Sequence, residues 1–584
     1  MKTMKKTIQY IAAATLGILC LGGCSSFLDT QNLLKKDTSN FPANETDARQ
    51  MITGIYAVMN SNIKNITEDP FMLFDLASDD RLGGGSQSNV EAQSADRLMN
   101  RKVSWLEPCW KYRYMGINRA NSAIENMDRV TEWSNDNVRG QLLCEAYFLR
   151  AFYYFNLAQV FGSVPLVITT EPVNYPKADP ADLYAQIASD LKTAIEIGPD
   201  LRYPTFGEGH VSNWAAEALM ARVWLFYTGF YGKTDLPLAE GGSVSKSQVV
   251  TWLEDCIEHS GFGLVSDQRN LWPYSNQWTA VDYQYDIDNN LAWETNENKE
   301  IMFAIKMGNA GYSDSHDEMR FNRLPEYYGL RSTTAAAFPF NCQGYSNGPV
   351  CRAIWDDWGN DPDYAGDVRR VGSICDRLVE LPDYPGDKAK EVENTDLLAK
   401  KYVGCGAYDH ENGDKLLMNF SFFLGAPNSK QEGQMQPLIW IRFADVLLMH
   451  SELTDGKVIY DGKSGLNAVR ARAGLGDKPY SLALLKKERR YELCFEAIRW
   501  NDLRRWHDVS DIVRNQEGNP IKNEQSTGYY HFTNDFMQRY EDTGGGFFKI
   551  PESQITLSEG VLVQNPGWGE DTNWAKGDLP YFKK

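Results

Sequence analysis

The sequence predicts a mainly α-helical protein, a scaffold of helix pairs interrupted by one large irregular region. Three observations carry that expectation. Apolar residues recur at helical spacing through successive segments of about 12–20 residues. Small residues (Ala151, Ala158, Ala215, Ala218, Ala221) stand where such helices would touch closely. Between residues 270 and 433 the periodicity fades, and Gly, Pro, Asn, Asp, Trp and Tyr take over.

The chain begins with a basic stretch (Lys2, Lys5, Lys6) and a mostly apolar run from Ile8 to Cys20. That run is shorter than the roughly 20 residues a membrane-spanning helix needs, so it reads as a cleaved export signal. Leu21-Gly22-Gly23-Cys24 matches the bacterial lipobox, in which the cysteine thiol is acylated and becomes the new N-terminus. Residues 1–23 are therefore expected to be removed, and Cys24 to be the lipidation site.

From Asp47 to Met59, residues Met51, Ile52, Ile55, Tyr56 and Met59 share one helical face. Residues 75–89 then read as a loop, Asp75-Leu76-Ala77-Ser78-Asp79-Asp80 leading into Gly83-Gly84-Gly85. Trp105 to Met127 is helical again, with Trp110, Tyr114, Ile117, Ala120, Asn121 and Ile124 on one side. Cys144 to Phe161 is apolar almost all round, as a buried helix is, and Gly162 and Pro165 stop it. Leu183 to Ile195, Trp214 to Phe226 and Val249 to Ile257 complete a helical-repeat pattern of tetratricopeptide type.

Within the irregular region only short strand-like runs appear, such as Ile301 to Ile305, with Leu438 to Ile441 just beyond it. Helices return at Phe443 to Leu453, Leu466 to Ala473 and Leu482 to Arg499. This divides the mature chain into a helical region, 24–269, and a second region, 270–584, that contains the loop-rich insert 270–433 and the closing helices. An irregular insert this long is usually where function resides.

Composition narrows the partners. The 584 residues carry a net charge of −19, which argues against nucleic acid or anionic lipid. The 16 Trp, 30 Tyr and 26 Phe suit a large core, or a surface that stacks on sugar rings. Beyond Cys20 and Cys24, no two cysteines form a CxxC pair; Cys342 with Cys351, and then Cys375 with Cys405, are the candidate disulfides.

Catalytic signatures are sparse. Gly344-Tyr345-Ser346-Asn347-Gly348 fits G-x-S-x-G, but lacks the flanking strand and helix of a nucleophile elbow. No HExxH occurs, and no cofactor is expected. Asp286, Asp288 and Asn290, with Glu297 beyond, partly mimic a calcium loop, although Leu291 replaces the glycine such a loop requires.

Several stretches together resemble the SusD/RagB family of outer-membrane nutrient-uptake lipoproteins. They are INRANSAIENMD (117–128), EAYFLRAFYYFNLAQVFGSVPL (145–166), WAAEALMARVWLFYTG (214–229), RFADVLLMHSEL (442–453), NAVRARAG (467–474), ERRYELCFEAIRWNDLRRW (488–506), IPESQI (550–555) and QNPGW (564–568). The match runs over nearly the whole mature chain; His450-Ser451 and Ala497 depart from the commoner Tyr-Ala and Gly. The resemblance implies four tetratricopeptide-like units and a loop-built ligand face. It also implies a surface protein that captures oligosaccharides, performs no chemistry, and serves a SusC-like TonB-dependent β-barrel transporter. One branch of the family takes peptides instead, and a glycoside hydrolase is the remaining alternative.

Sugar recognition needs flat aromatic faces and planar polar groups. Expected ligand residues are the loop acids Asp75, Asp79 and Asp80, with Trp105 beside them, and Trp278 and Trp293 in the insert. Arg369 and Tyr402 are added by loose similarity to positions bordering the family's pocket. The dense charges Glu488, Arg489, Arg490, Glu492, Arg499, Asp502 and Arg504 read instead as ion pairs that lock the last helices against the loops.

Overall fold

The computed structural model describes residues 41–61, 69–86, 90–98, 106–204, 209–294, 298–307, 322–386, 391–418, 436–523, 526–532 and 535–568. Cys24, Trp105 and Glu297 lie outside them. The longer helices are α1 (Glu45–Ser61), α2 (Glu107–Asn126), α3 (Asp136–Phe161), α4 (Pro180–Ile197), α5 (Asn213–Tyr231), α6 (Lys246–His259), α7 (Phe443–Leu453), α8 (Leu482–Glu492) and α9 (Arg499–Trp506).

Their starts follow from sequence. Asn135, Asp179, Ser212 and Ser245 accept a backbone N–H from the first turn of α3, α4, α5 and α6 with their side chains. Gly162 ends α3 at φ +72°, a conformation that favours glycine. Each helix from α1 to α6 packs on its neighbour in sequence, and α7 continues the series against α6. This is the helix-pair scaffold the periodicity predicts, with α3 buried from Leu142 onward apart from Tyr147.

Close approach of α2 and α3 depends on Gly116. A β-carbon there would lie 2.3 Å from the ring of Tyr153. Gly116→Ala is therefore expected to lower stability by about 1–3 kcal/mol, although alanine is the better helix former. A urea titration comparing midpoints checks it.

The insert is closed at its base. Ile301–Ile305 and Leu438–Arg442 pair antiparallel, bringing the two ends of the irregular region together. Among the described residues the sheets are all two-stranded.

One expected helix is split in two. The pattern over Leu482 to Arg499 breaks after Glu492, and Phe495 (φ +63°) and Ala497 (φ +62°) turn the chain before α9 begins. No glycine or proline marks that turn. The left-handed backbone at Ala497 also explains physically why glycine is common there in the resembling family.

The charges of α8 and α9 do lock the helices to the loops. Arg442, buried, pairs with Glu300, Glu492 and Glu496; Arg472 bridges Glu300 and Glu492; Arg489 joins Asp445 to Asp502.

Candidate functional site

Most of the residues expected to bind ligand belong to this internal network. Asp79 and Asp80 are completely buried. Asp79 accepts from Arg499 at 2.8 and 2.9 Å and from Asn515 at 2.7 Å, while Asp80 takes Arg490 at 2.8 Å. Arg490 and Arg499 outweigh the effect of burial and hold the Asp79 carboxyl well below the usual range. Arg369 has no exposed surface; Asp367, Glu488 and Glu492 saturate its guanidinium. Tyr402 is also core, packed edge-on against Phe71 and Trp272, with its hydroxyl accepting from the Ile439 N–H. Arg490 and Arg499 neutralise Asp79 and Asp80, acids neutralise Arg369, and ring packing holds Tyr402, so all four face inward. They are corrections to the expected ligand set.

Asp75 is buried too, but it underlies a cleft. Its carboxylate takes Arg81 at 2.5 Å and the Tyr328 hydroxyl at 2.9 Å, while Arg81 stacks 3.8 Å from the Tyr328 ring centre. Tyr328 in turn lines the cleft, so Asp75 is a supporting residue and not a contact.

The cleft is zipped together from three distant segments. The Gly348 N–H donates to the Gly83 carbonyl at 2.9 Å, Gly85 donates to Ser346 at 3.0 Å, and Val392 donates to Gly85 at 2.7 Å. Gly84 is required at φ +63°, and a β-carbon there would strike Pro349 at 2.2 Å. The residues facing the cavity include Tyr328, Ser346, Asn347, Arg377, Glu391 and Asn394. Its volume is about 20 Å³. That is room for a water or a hydroxyl group.

Polar chemistry is concentrated there. Glu391 accepts from Arg377 (3.1 Å), Tyr384 (2.8 Å), Asn394 (3.2 Å) and Ser346 (3.3 Å). Asn347 is buried, yet neither its Nδ2 nor its Oδ1 has a hydrogen-bond partner in the structure. A buried amide with both ends unmade is costly unless something supplies a donor and an acceptor. A hydroxyl supplies both.

Trp278 and Trp293 remain half-buried in the insert. The structure brings them into one loop cluster: the Trp278 N–H donates to the Asn276 side chain and the Trp293 N–H to the Ser275 carbonyl. Thr279 ties that cluster to the Gly406 carbonyl, next to a half-buried pair, Phe338 and Tyr408, with ring centres 4.9 Å apart. Sequence reasoning missed Asn347, Arg377, Glu391, Phe338 and Tyr408; no local motif distinguishes them.

Other expectations change. No disulfide joins the described cysteines, all of them buried, so neither Cys342–Cys351 nor Cys375–Cys405 is bridged. Residues Gln284–Asn289 form a helix where a calcium loop was an option, with Asp288 bonded to Gln284 and Asp286 turned inside. Among the described residues no group of His, Cys, Asp or Glu is placed to hold a metal ion. Ser346 does adopt φ +54°, but it follows a loop and its hydroxyl faces Gly329 and Glu391, without the strand and helix of an elbow.

A helical-repeat scaffold carries a loop-built polar cleft and, in the insert, a cluster of half-buried aromatics. Comparison with known families then places the chain. Residues 26–225 match the family described as starch-binding and associating with the outer membrane, and residues 393–568 match the SusD family. The chain belongs to the SusD/RagB family. A SusD-like protein of Formosa agariphila is 22% identical over 87% of this chain and 92% of its own length. A SusD-like protein of Bacteroides ovatus is 24% identical over 76% and 74%. Among solved structures, a laminarin-binding SusD-like protein superposes with a TM-score of 0.65 at 24% identity, covering 90% of this chain and all of that one. Surface glycan-binding protein A of Bacteroides thetaiotaomicron, in complex with laminarihexaose, gives 0.65 at 19% identity, covering 89% and 99%. No helix among the described residues is long and apolar enough to cross a membrane.

Proposed function

We propose that this chain is a surface lipoprotein that captures an oligosaccharide at the cleft and delivers it to a SusC-like TonB-dependent transporter, without chemistry on the sugar. The unpartnered Asn347 amide beside the Arg377–Glu391 pair carries the reading, because a sugar hydroxyl would supply it with both a donor and an acceptor. Half-buried Trp278, Trp293 and Tyr408 supply candidate platforms for the apolar faces of sugar rings. The relatives named for laminarin and laminarihexaose binding support the ligand class. Cys24 would carry the acyl chains that hold the body at the outer membrane, and palmitate labelling lost in Cys24→Ala checks that.

A thermal-shift screen against neutral oligosaccharides and peptides, with product analysis, tests the proposal. Stabilisation by a glycan recovered intact is the expected result. Asn347→Ala should weaken that binding roughly tenfold, about 1.4 kcal/mol. Stabilisation by peptides alone, or cleavage of the glycan, would replace the reading with the peptide-binding or hydrolase alternative.

A further inference from the structure

We propose that Asp96 and Glu393 form a proton-operated clamp on the glycine turn that walls the cleft, so that acid loosens the turn and weakens glycan capture. The inference rests on the capture reading above for its ligand, and on the following geometry for the clamp itself.

Consecutive amides of the turn are gripped by two carboxylates from opposite sides. Asp96 Oδ2 accepts the Gly83 N–H at 3.0 Å, and Glu393 Oε2 accepts the Gly84 N–H at 2.8 Å. Both acids are completely buried. Glu393 sits at φ +57°, a left-handed backbone that a non-glycine residue holds only where its surroundings enforce it. One guanidinium serves the pair: Arg97 bonds Glu393 Oε1, and its Nη1 lies 3.8 Å from Asp96 Oδ2. Gly84 and Gly85 then bridge to Asn347 and Ser346, at the cleft.

Both oxygens of Asp96 accept hydrogen bonds. Oδ2 also receives the Tyr530 hydroxyl at 3.0 Å, and Oδ1 receives Gln516 Nε2 at 3.0 Å. A carboxylate only accepts, whereas a carboxylic acid must turn one oxygen into a donor. The Tyr530 hydroxyl can rotate and accept a proton on Oδ2, while the Gly83 N–H can only donate. Protonation at Oδ2 therefore leaves Gly83 bonded to a neutral acid, a weaker acceptor than the carboxylate.

The transition falls in a useful range. Burial pushes the Asp96 carboxyl up, the Arg97 guanidinium pulls it back, and the Glu393 charge pushes it up again, to about 7. Among the described residues, Arg81 is engaged with Asp75, Arg377 with Glu391, Lys522 with Asp396, and Arg539 with the Leu98 carbonyl. Above that pH Asp96 is ionised and the turn is held. Below it the anchor is weakened, and the cleft loses part of its preorganisation.

Two measurements on the full mature chain test this. Hydrogen exchange of ligand-free protein, corrected for intrinsic rates, should show protection of Gly83–Gly85 falling as pH drops from about 8 to about 6. Calorimetry with a bound oligosaccharide should show affinity falling about fivefold over the same interval, the worth of one hydrogen bond. Asp96→Asn, which keeps one acceptor oxygen, should show low protection and weak affinity at every pH. Tyr530→Phe, which frees Oδ2 of its second donor, should keep the pH step. Protection that does not change with pH overturns the clamp. Protection that changes while affinity stays flat overturns its link to capture. If no glycan binds at all but protection still follows pH, the clamp stands and the capture reading fails instead.

Discussion

Asp79→Ala is expected to destabilise the fold by about 3–5 kcal/mol and to leave glycan affinity of the surviving folded protein unchanged. Asp79 is the shared partner of Arg490 and Arg499; Asp79 and Arg490 are buried and Arg499 is partly so. Removing it leaves Arg499 with Asp511, 3.9 Å away, and Arg490 with Asp80 at 2.8 Å and Asp357 at 3.4 Å. An uncompensated buried guanidinium is far more costly than a lost surface contact, because desolvation has already occurred. Chemical denaturation reads the stability loss, and calorimetry on the folded fraction separates it from any effect on binding. Intact stability with lost binding would restore Asp79 to the ligand site.

Arg442→Met is expected to cost a similar amount, about 3–5 kcal/mol, by a different route. Arg442 stands at the end of Leu438–Arg442, the strand that closes the insert, and neutralises Glu300, Glu492 and Glu496 together. After substitution Arg472 still serves Glu300 and Glu492, and Lys401 still serves Glu496. Three buried glutamates would then rest on Arg472, Lys401 and Arg369, the last already shared with Asp367 and Glu488. Stability of the variant should recover in part as pH falls and one of them takes up a proton. A denaturation series from neutral pH to about pH 5 checks the magnitude and the sign.

Both variants concern residues that the sequence presents ambiguously. The helices α1 to α6 were legible because apolar residues recur at helical spacing along them, or fill α3 almost all round. The ionic character of α8 and α9 was legible for the same local reason. What local pattern does not encode is the partner: the acceptor of Arg490 lies 410 residues away and that of Arg499 lies 420 away. Bunched acids in a glycine-flanked loop therefore looked like a ligand surface, when they are the counter-charges of distant helices. The cleft was hidden likewise. Asn347, Arg377 and Glu391 come from unremarkable loop sequence, and only the backbone bonds joining residues 83–85, 346–348 and 392 bring them together. The turn at Phe495 and Ala497 was illegible because neither residue is a glycine, although both adopt its backbone.

The most direct test of the central claim is a calorimetric titration of wild type and Asn347→Ala with the oligosaccharide that stabilises the protein, followed by chromatography of the recovered sugar. Capture at the cleft predicts saturable binding, roughly tenfold weaker in the variant at unchanged fold stability, and sugar recovered intact. Equal affinity in the two proteins, or a shortened sugar, would contradict it.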